Sequence, residues 1–424
     1  MNLIGVFSVS LLALFEVHVS LAGEPGLDSL VAEALRHNPE LKAARQGADA
    51  SRSRVNQVDS WESPQVGMEF FQTPASSFPD PARHSMENDY YIQQTIPFPG
   101  KISATRRSAE SEAGMTGRQK EALENSIVRD VKSAYYELYL VQKKIQVNDE
   151  NRELMKTFVE IARKQYEVGG GKQADVLRAQ TELSTLANDG INLEEERKLA
   201  ESMLNTLLSR PADAALDSAT VTVRRIPSWP FDRIQPLALQ HRPELQSMSS
   251  AIDMRTADVS AARNDFWPDI MTRVMYKDMV GSRTDFWSAM IGVSIPLAPW
   301  SGGRYTSKVE EGELNLEKSR EEYEAMKNTI SYEVRRALVK VQTNRNLVDL
   351  YGNTVIPQAQ QTLQSTTADY QSGKAEFLDL IDAYRVVLNA RLAYFGAVAE
   401  YMTSQARLEQ AVGLPIDQIA SQLH

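Results

Sequence analysis

Apolar positions recur at spacings of three and four along two long stretches of the chain. Leu123, Ile127, Val131, Ala134, Leu138, Val141 and Ile145 form one series; Tyr323, Met326, Ile330, Val334, Ala337 and Val341 form the other. A period near 3.5 residues predicts helices packed side by side along a seam. No proline interrupts residues 104–168, and at about 1.5 Å per residue such a stretch makes a rod of roughly 100 Å. A tight turn and a second helix of roughly 35 to 40 residues follow each rod. A further helix opens each half, over residues 27–59 and 236–264.

Between opening helix and rod the period changes to two. Trp287, Ala289, Ile291, Val293 and Ile295 alternate with Phe286, Ser288, Met290, Gly292 and Ser294. Ile270, Thr272, Val274 and Tyr276 alternate with Met271, Arg273, Met275 and Lys277. Val66, Met68 and Phe70 flank Glu69, and Tyr90, Ile92 and Ile96 alternate with Tyr91, Gln93 and Thr95. Segments of about ten residues, apolar on one face and polar on the other, fit membrane β-barrel strands. Taken singly they fit a half-buried soluble sheet equally well. The barrel reading sets Val66, Phe70, Ile92, Ile270, Val274, Trp287, Ile291 and Val293 against lipid. Residues 72–88, with Pro74, Pro79 and Pro81, make a long strand–strand loop of the outer-face kind.

The pattern is written twice. Residues 34–41 (ALRHNPEL) recur as 238–245 (ALQHRPEL), Pro64 as Pro268, Tyr166 and Gly169 as Tyr370 and Gly373, all at an offset of 204. An offset held over such a distance marks a duplicated unit. The expected division is a leader over residues 1–22, a first unit over 23–225 and a second over 226–424. Each unit holds a helix, two strands and a long helical hairpin.

Composition then narrows the chemistry. The 424 residues include 46 Lys and Arg against 56 Asp and Glu, a net charge of −10, with five His and no Cys. An acidic chain without a basic block is not built for nucleic acid. Lack of Cys removes disulfides, thiolate zinc sites, iron–sulfur clusters and cysteine nucleophiles. The histidines His18, His37, His84, His241 and His424 are isolated, so neither metal nor cofactor is expected. No phosphate-binding, dinucleotide, nucleophile-elbow or metalloprotease motif occurs, and no enzymatic activity is expected. Residues 3–14 are apolar and Ser20-Leu21-Ala22 precedes Gly23, which reads as a cleaved secretory signal. After it, no segment is apolar enough to cross a bilayer as a helix.

Four strands per chain do not close a membrane barrel, which needs at least about eight. Open edges in lipid leave backbone groups unpaired. The chain must therefore pool strands with copies of itself, and three copies give about twelve strands around an aqueous lumen.

Several motifs resemble the TolC family of outer-membrane efflux ducts, over essentially the whole mature chain. They are the NPEL and RPEL segments, the IPFPG and IPLAPWSGG strand exits, and two tip turns, residues 166–177 (YEVGGGKQADVL) and 370–383 (YQSGKAEFLDLIDA). Residues 94–101 (QTIPFPGK) and the FLDLIDA run are similar to the heavy-metal, CzcC-like branch. The resemblance implies an α+β membrane protein: a homotrimer with a 12-stranded β-barrel in outer-membrane lipid and an α-helical tunnel extending into the periplasm. It implies a periplasmic adaptor (membrane fusion protein) and an inner-membrane pump as partners, in tripartite efflux or type I export. The alternative from another class is a periplasmic coiled-coil scaffold or adaptor without a lumen.

By position, the resemblance also implies a periplasmic gate. Asp175 corresponds to an Asp that bonds a Tyr on the opposing hairpin, and Tyr370 to that Tyr. Asp379 and Asp382 correspond to the carboxylates ringing the narrowest point. They are three apart and share a helix face, with Phe377, Leu380, Ile381 and Tyr384 on the packing side. The tips Val168, Gly169, Gly170, Gly171, Ser372, Gly373 and Lys374 are expected to meet the adaptor. Gly170 and Gly171 are expected to lengthen or loosen the first tip relative to the second. One departure stands out: the family's gate Arg, two residues after the second tip glycine, is Ala375 here.

Overall fold

The computed structural model describes residues 25–296 and 298–423. The predicted signal peptide lies outside the described residues. Each half opens with two helices rather than the single one expected. They are α1 (Pro25–His37) and α2 (Pro39–Val58), and later α5 (Phe231–His241) and α6 (Pro243–Asn264). The cause is the proline at each break, which forces the residue before it out of the helical region. Asn38 and Arg242 accordingly take ψ of 122° and 118°. Asn38 then caps α2, its Oδ1 accepting the Leu41 N–H at 3.1 Å. In the second half the helical stretch also begins earlier than Pro236, which is carried inside α5.

Strands β1 (Gln65–Phe71), β2 (Glu87–Ile96), β3 (Ile270–Met279) and β4 (Phe286–Val293) form one antiparallel sheet in the order β1-β2-β3-β4. The central β2–β3 pairing joins the two halves of the sequence. The first rod is α3 (Pro99–Glu167), 69 residues long, followed by α4 (Gln173–Leu208). The second rod is α7 (Gly302–Leu350), a wide turn over Tyr351–Val355, and α8 (Ile356–Gln371). The wide turn adjoins Pro357, which has no N–H to continue the helical ladder. Helix α9 (Phe377–Val412) returns from the second tip, and α10 (Ile416–Leu423) ends the described chain.

The packing arranges these elements in four columns. Helices α2, α6 and α7 follow the order of the strands they adjoin, with α2 on α3, α3 on α6 and α6 on α7. Toward the tips the order is α4, α3, α9 and then α7 and α8. One outer column is therefore β1, α2 and α4, and the other is β4, α7 and α8. The chain is a sector of wall, open along both sides.

Residues 213–230 cross this wall as an extended strap. The Tyr135 hydroxyl accepts the Thr220 N–H at 2.9 Å, and Gln142 Oε1 accepts that of Ala219 at 2.9 Å, both from α3. The Tyr401 hydroxyl on α9 accepts the Ile226 N–H at 3.2 Å, and Arg225 reaches Asp349 on α7 at 2.5 Å. Under the strap lies the larger apolar core, including Val131, Leu138, Val334, Val398 and Tyr401. A second core, near the tips, joins the hairpins through Met155, Phe158, Leu380, Ile381 and Tyr384.

Candidate functional site

The two hairpin tips are built alike. Gly169 and Gly373 adopt φ of +77° and +74°, the left-handed conformation that only glycine enters without strain. Helix α4 starts six residues after Glu167 and α9 six after Gln371. The tips are therefore equal in length, which corrects the expectation that Gly170 and Gly171 lengthen the first: their counterparts are Lys374 and Ala375. Gly170 N–H and Lys374 N–H close the turns on the carbonyls of Gln165 and Asp369, each at 2.8 Å.

Past each turn an aspartate caps the returning helix. Asp175 accepts the Lys172 N–H at 3.3 Å, and Asp379 accepts the Glu376 N–H at 3.1 Å. An acceptor here satisfies a donor that the first turn leaves unpaired, and its charge suits the helix N-terminus. The two carboxylates differ in setting: Asp175 is buried and Asp379 exposed. Asp382, one turn on, is exposed on the same face of α9 as Asp379, and Phe377, Leu380, Ile381 and Tyr384 are buried on the other.

Tyr370 is buried, its ring edge-on to Phe377 with centroids 5.4 Å apart. Its hydroxyl has no hydrogen-bond partner among the described residues. Burial pushes the Tyr370 pKa up, and the negative Asp175 adds to the rise. The fold thus brings Tyr370 near Asp175, with the carboxylate bonded to its own helix cap. Val168, Ser372 and Lys374 are exposed at the turns beside them.

Other links between the hairpins had no signal in the sequence. Arg385 grips Glu182 with two bonds of 2.7 and 3.2 Å, and Arg391 meets Glu150 at 2.5 Å. At the tips Gln165 Nε2 donates to the Gln371 carbonyl at 2.8 Å, and Lys172 lies 3.6 Å from Glu376. The hydrogen bond from Arg391 holds the Glu150 carboxyl below the usual range, despite an opposing push from burial. The Arg385–Glu182, Arg391–Glu150 and Gln165–Gln371 pairs escape a reading by repeats because their members sit at non-equivalent positions of the two units. Lys172 and Glu376, by contrast, are equivalent positions, 204 residues apart, that carry opposite charges.

At the opposite end of the molecule, the register puts alternate residues of all four strands on common faces. Val66, Ile92, Val274 and Ala289 stand in one row, and Met68, Tyr90, Tyr276 and Trp287 in the next. Gln94, Thr272 and Ile291, and Ile96, Ile270 and Val293, make two more rows of the same face. Large apolar groups here are bare, with Val66 79%, Trp287 76% and Ile291 78% exposed. Phe70, near the long loop, is half-buried. The other face carries Glu69, Glu87, Asp89, Gln93, Arg273 and Lys277. Among the described residues no helix is long and apolar enough to cross a membrane, and no group of His, Asp and Glu is arranged to hold a metal.

Known proteins share this architecture. A family model described as outer membrane efflux protein matches residues 30–210 and 235–414. The cobalt-zinc-cadmium resistance protein CzcC of Cupriavidus metallidurans is 21% identical over 395 residues, covering 92% of this chain and 91% of its own. The outer membrane protein TolC of Escherichia coli K12 is 20% identical over 420 residues, covering 93% and 83%. Among solved structures, the open state of the Neisseria gonorrhoeae MtrE outer membrane channel superposes with a TM-score of 0.77 at 17% identity, over 92% of this chain and 90% of that one.

Proposed function

The chain belongs to the outer membrane efflux protein family and is an outer-membrane channel protein, and from that premise we propose that three copies join edge to edge into a single conduit. The observation that carries this is the pair of open sides. Among the described residues, strands β1 and β4 are each paired on one side only, and each continues into an outer helical column. In lipid, every unpaired backbone group costs several kcal/mol. Pairing β4 of one copy with β1 of the next removes both edges, and the columns beneath continue the barrel as a periplasmic tunnel.

In this assembly the bare apolar face, with Val66, Phe70, Ile92, Ile270, Val274, Trp287, Ile291 and Val293, meets lipid. The charged face lines the lumen. Asp175, Tyr370, Asp379 and Asp382 make the periplasmic gate. Six exposed carboxylates, from Asp379 and Asp382 of three copies, surround the axis and attract cations to the entrance. The buried Tyr370 hydroxyl, lacking a partner beside Asp175, is the group that a change in tip geometry can bond or release. The tips, from Val168 to Gly171 and Ser372 to Lys374, take the periplasmic adaptor, which links the channel to an inner-membrane pump. The leader over residues 1–22 directs export, and the two units over 23–225 and 226–424 supply alternate hairpins.

Purified protein added to planar bilayers tests the proposal. Stepwise conductance, from material that detergent alone extracts from outer membranes, is expected. A chain that remains in plain buffer after lysis and forms no channels contradicts it.

A further inference from the structure

Arg273 is set apart from the other charges of the sheet. On the polar face Lys277 is neutralised by Glu87 and Asp89, at 3.1 and 3.2 Å. Arg273 has no carboxylate partner among the described residues. Its Nε and Nη2 both donate to Gln93 Oε1, at 2.8 and 2.5 Å, and Gln93 is neutral. The guanidinium also lies over the Tyr91 ring, 4.6 Å from the centroid. Tyr91 in turn lies flat on β1, because Gly67 has no Cβ to collide with the ring. Gly67, Tyr91, Gln93 and Arg273 thus form a built cradle that fixes a full positive charge and leaves Nη1 without a partner among the described residues.

The register gives this charge a height. Gln65, Gln93, Arg273 and Met290 form one row of the polar face, and Gly67, Tyr91, Met275 and Ser288 the next. Glu69, Asp89, Lys277 and Phe286 follow, nearer the long loop. The row of Arg273 carries a net charge of +1 and the row of Lys277 a net charge of −1, by counting those side chains. The cationic row is the one closer to the helices. Arginine suits such a role because it stays charged, and stacking on an aromatic face restrains it without neutralising it.

Resting on the trimeric barrel proposed above, we propose that Arg273 is a specificity-determining residue of the channel. Three copies present a ring of fixed guanidinium groups at the helix-proximal end of the lumen, favouring anionic solutes, such as carboxylates and phosphates, over cations. The entrance carboxylates and this ring then act in series with opposite sign.

The test is the reversal potential of single channels in a potassium chloride gradient near 0.1 M, where fixed charge is felt over about 10 Å. Arg273→Gln is expected to lower the chloride-to-potassium permeability ratio by roughly twofold or more, and Arg273→Lys to retain most of it. Because the chain has no cysteine, Met290→Cys, directly opposite Arg273, supplies a second readout that keeps the arginine in place. Its thiol is expected to react faster with an anionic methanethiosulfonate than with a cationic one, relative to a free thiol. Channels that conduct, with a ratio unchanged by Arg273→Gln or a thiol preferring the cationic reagent, overturn the role of Arg273 alone. Wild-type protein that forms no channels overturns the barrel reading, and this inference with it.

Discussion

Asp175 and Asp379 lie 204 residues apart in the sequence, yet do the same work: each carboxylate accepts the backbone N–H three residues before it and starts a returning helix. These two aspartates, proposed above for the gate, are thus also structural, and substitutions at either act first on the tip.

Asp175→Ala and Asp379→Ala are each expected to cost about 0.5–2 kcal/mol, the usual range for a lost cap. The buried Asp175 falls at the upper end and the exposed Asp379 at the lower. Limited proteolysis at residues 168–176 and 372–380, with thermal unfolding alongside, reads the difference. Equal, negligible effects contradict the capping role.

Arg385 and Arg391 tie the hairpins to each other through Glu182 and Glu150. The double variant Arg385→Gln/Arg391→Gln is expected to raise single-channel conductance by loosening the entrance. Each pair is partly exposed, so the loss in stability stays near 1 kcal/mol or below. Unchanged conductance rules out a latch at this level.

The Glu150 carboxyl has its pKa lowered in the folded protein by Arg391. A group depressed on folding contributes stability above its unfolded pKa, about 4.3, and loses it as pH falls through the folded value. The Glu150–Arg391 tie is therefore expected to hold from neutral pH down through the usual carboxylate range and to release only as pH falls through the lowered folded value. Tip protection from an acid-tolerant protease measures this; release already between pH 5 and 7 contradicts it.

Ala375 stands where the resemblance implies a gate arginine. Ala375→Arg is expected to add a cross-tip bond and lower conductance in planar bilayers. A conductance unchanged or raised counts against an entrance that lacks this link.

The two sheet faces differ in what they tolerate. Val274→Lys, in the middle of the bare apolar face, is expected to cost about 2–4 kcal/mol in a lipid bilayer. Ser288→Lys, on the charged face, is expected to be tolerated. Urea unfolding of the protein in vesicles compares them, and equal costs contradict the assignment of faces.

Much of this was legible in the sequence because it rests on period. The alternation in residues 270–277 and 286–293 already sorts the two sheet faces, and the steps of three and four in residues 123–145 already mark the buried seam of α3. Breaks at Pro39 and Pro243 were present as prolines, but the spacing of apolar residues carries across them and masks the turn. The equal tip lengths follow from the 204-residue offset, which pairs Gly170 and Gly171 with Lys374 and Ala375. What period does not encode is contact between non-equivalent positions. Glu182 with Arg385, and Arg273 with Tyr91 and Gln93, depend on how columns and strands are registered, which no local pattern states.

The mass of the detergent-solubilised particle, by native mass spectrometry, bears most directly on the sector of wall with two open sides. Three subunits per particle is the result this account predicts. A particle of one subunit, stable and conducting, contradicts it.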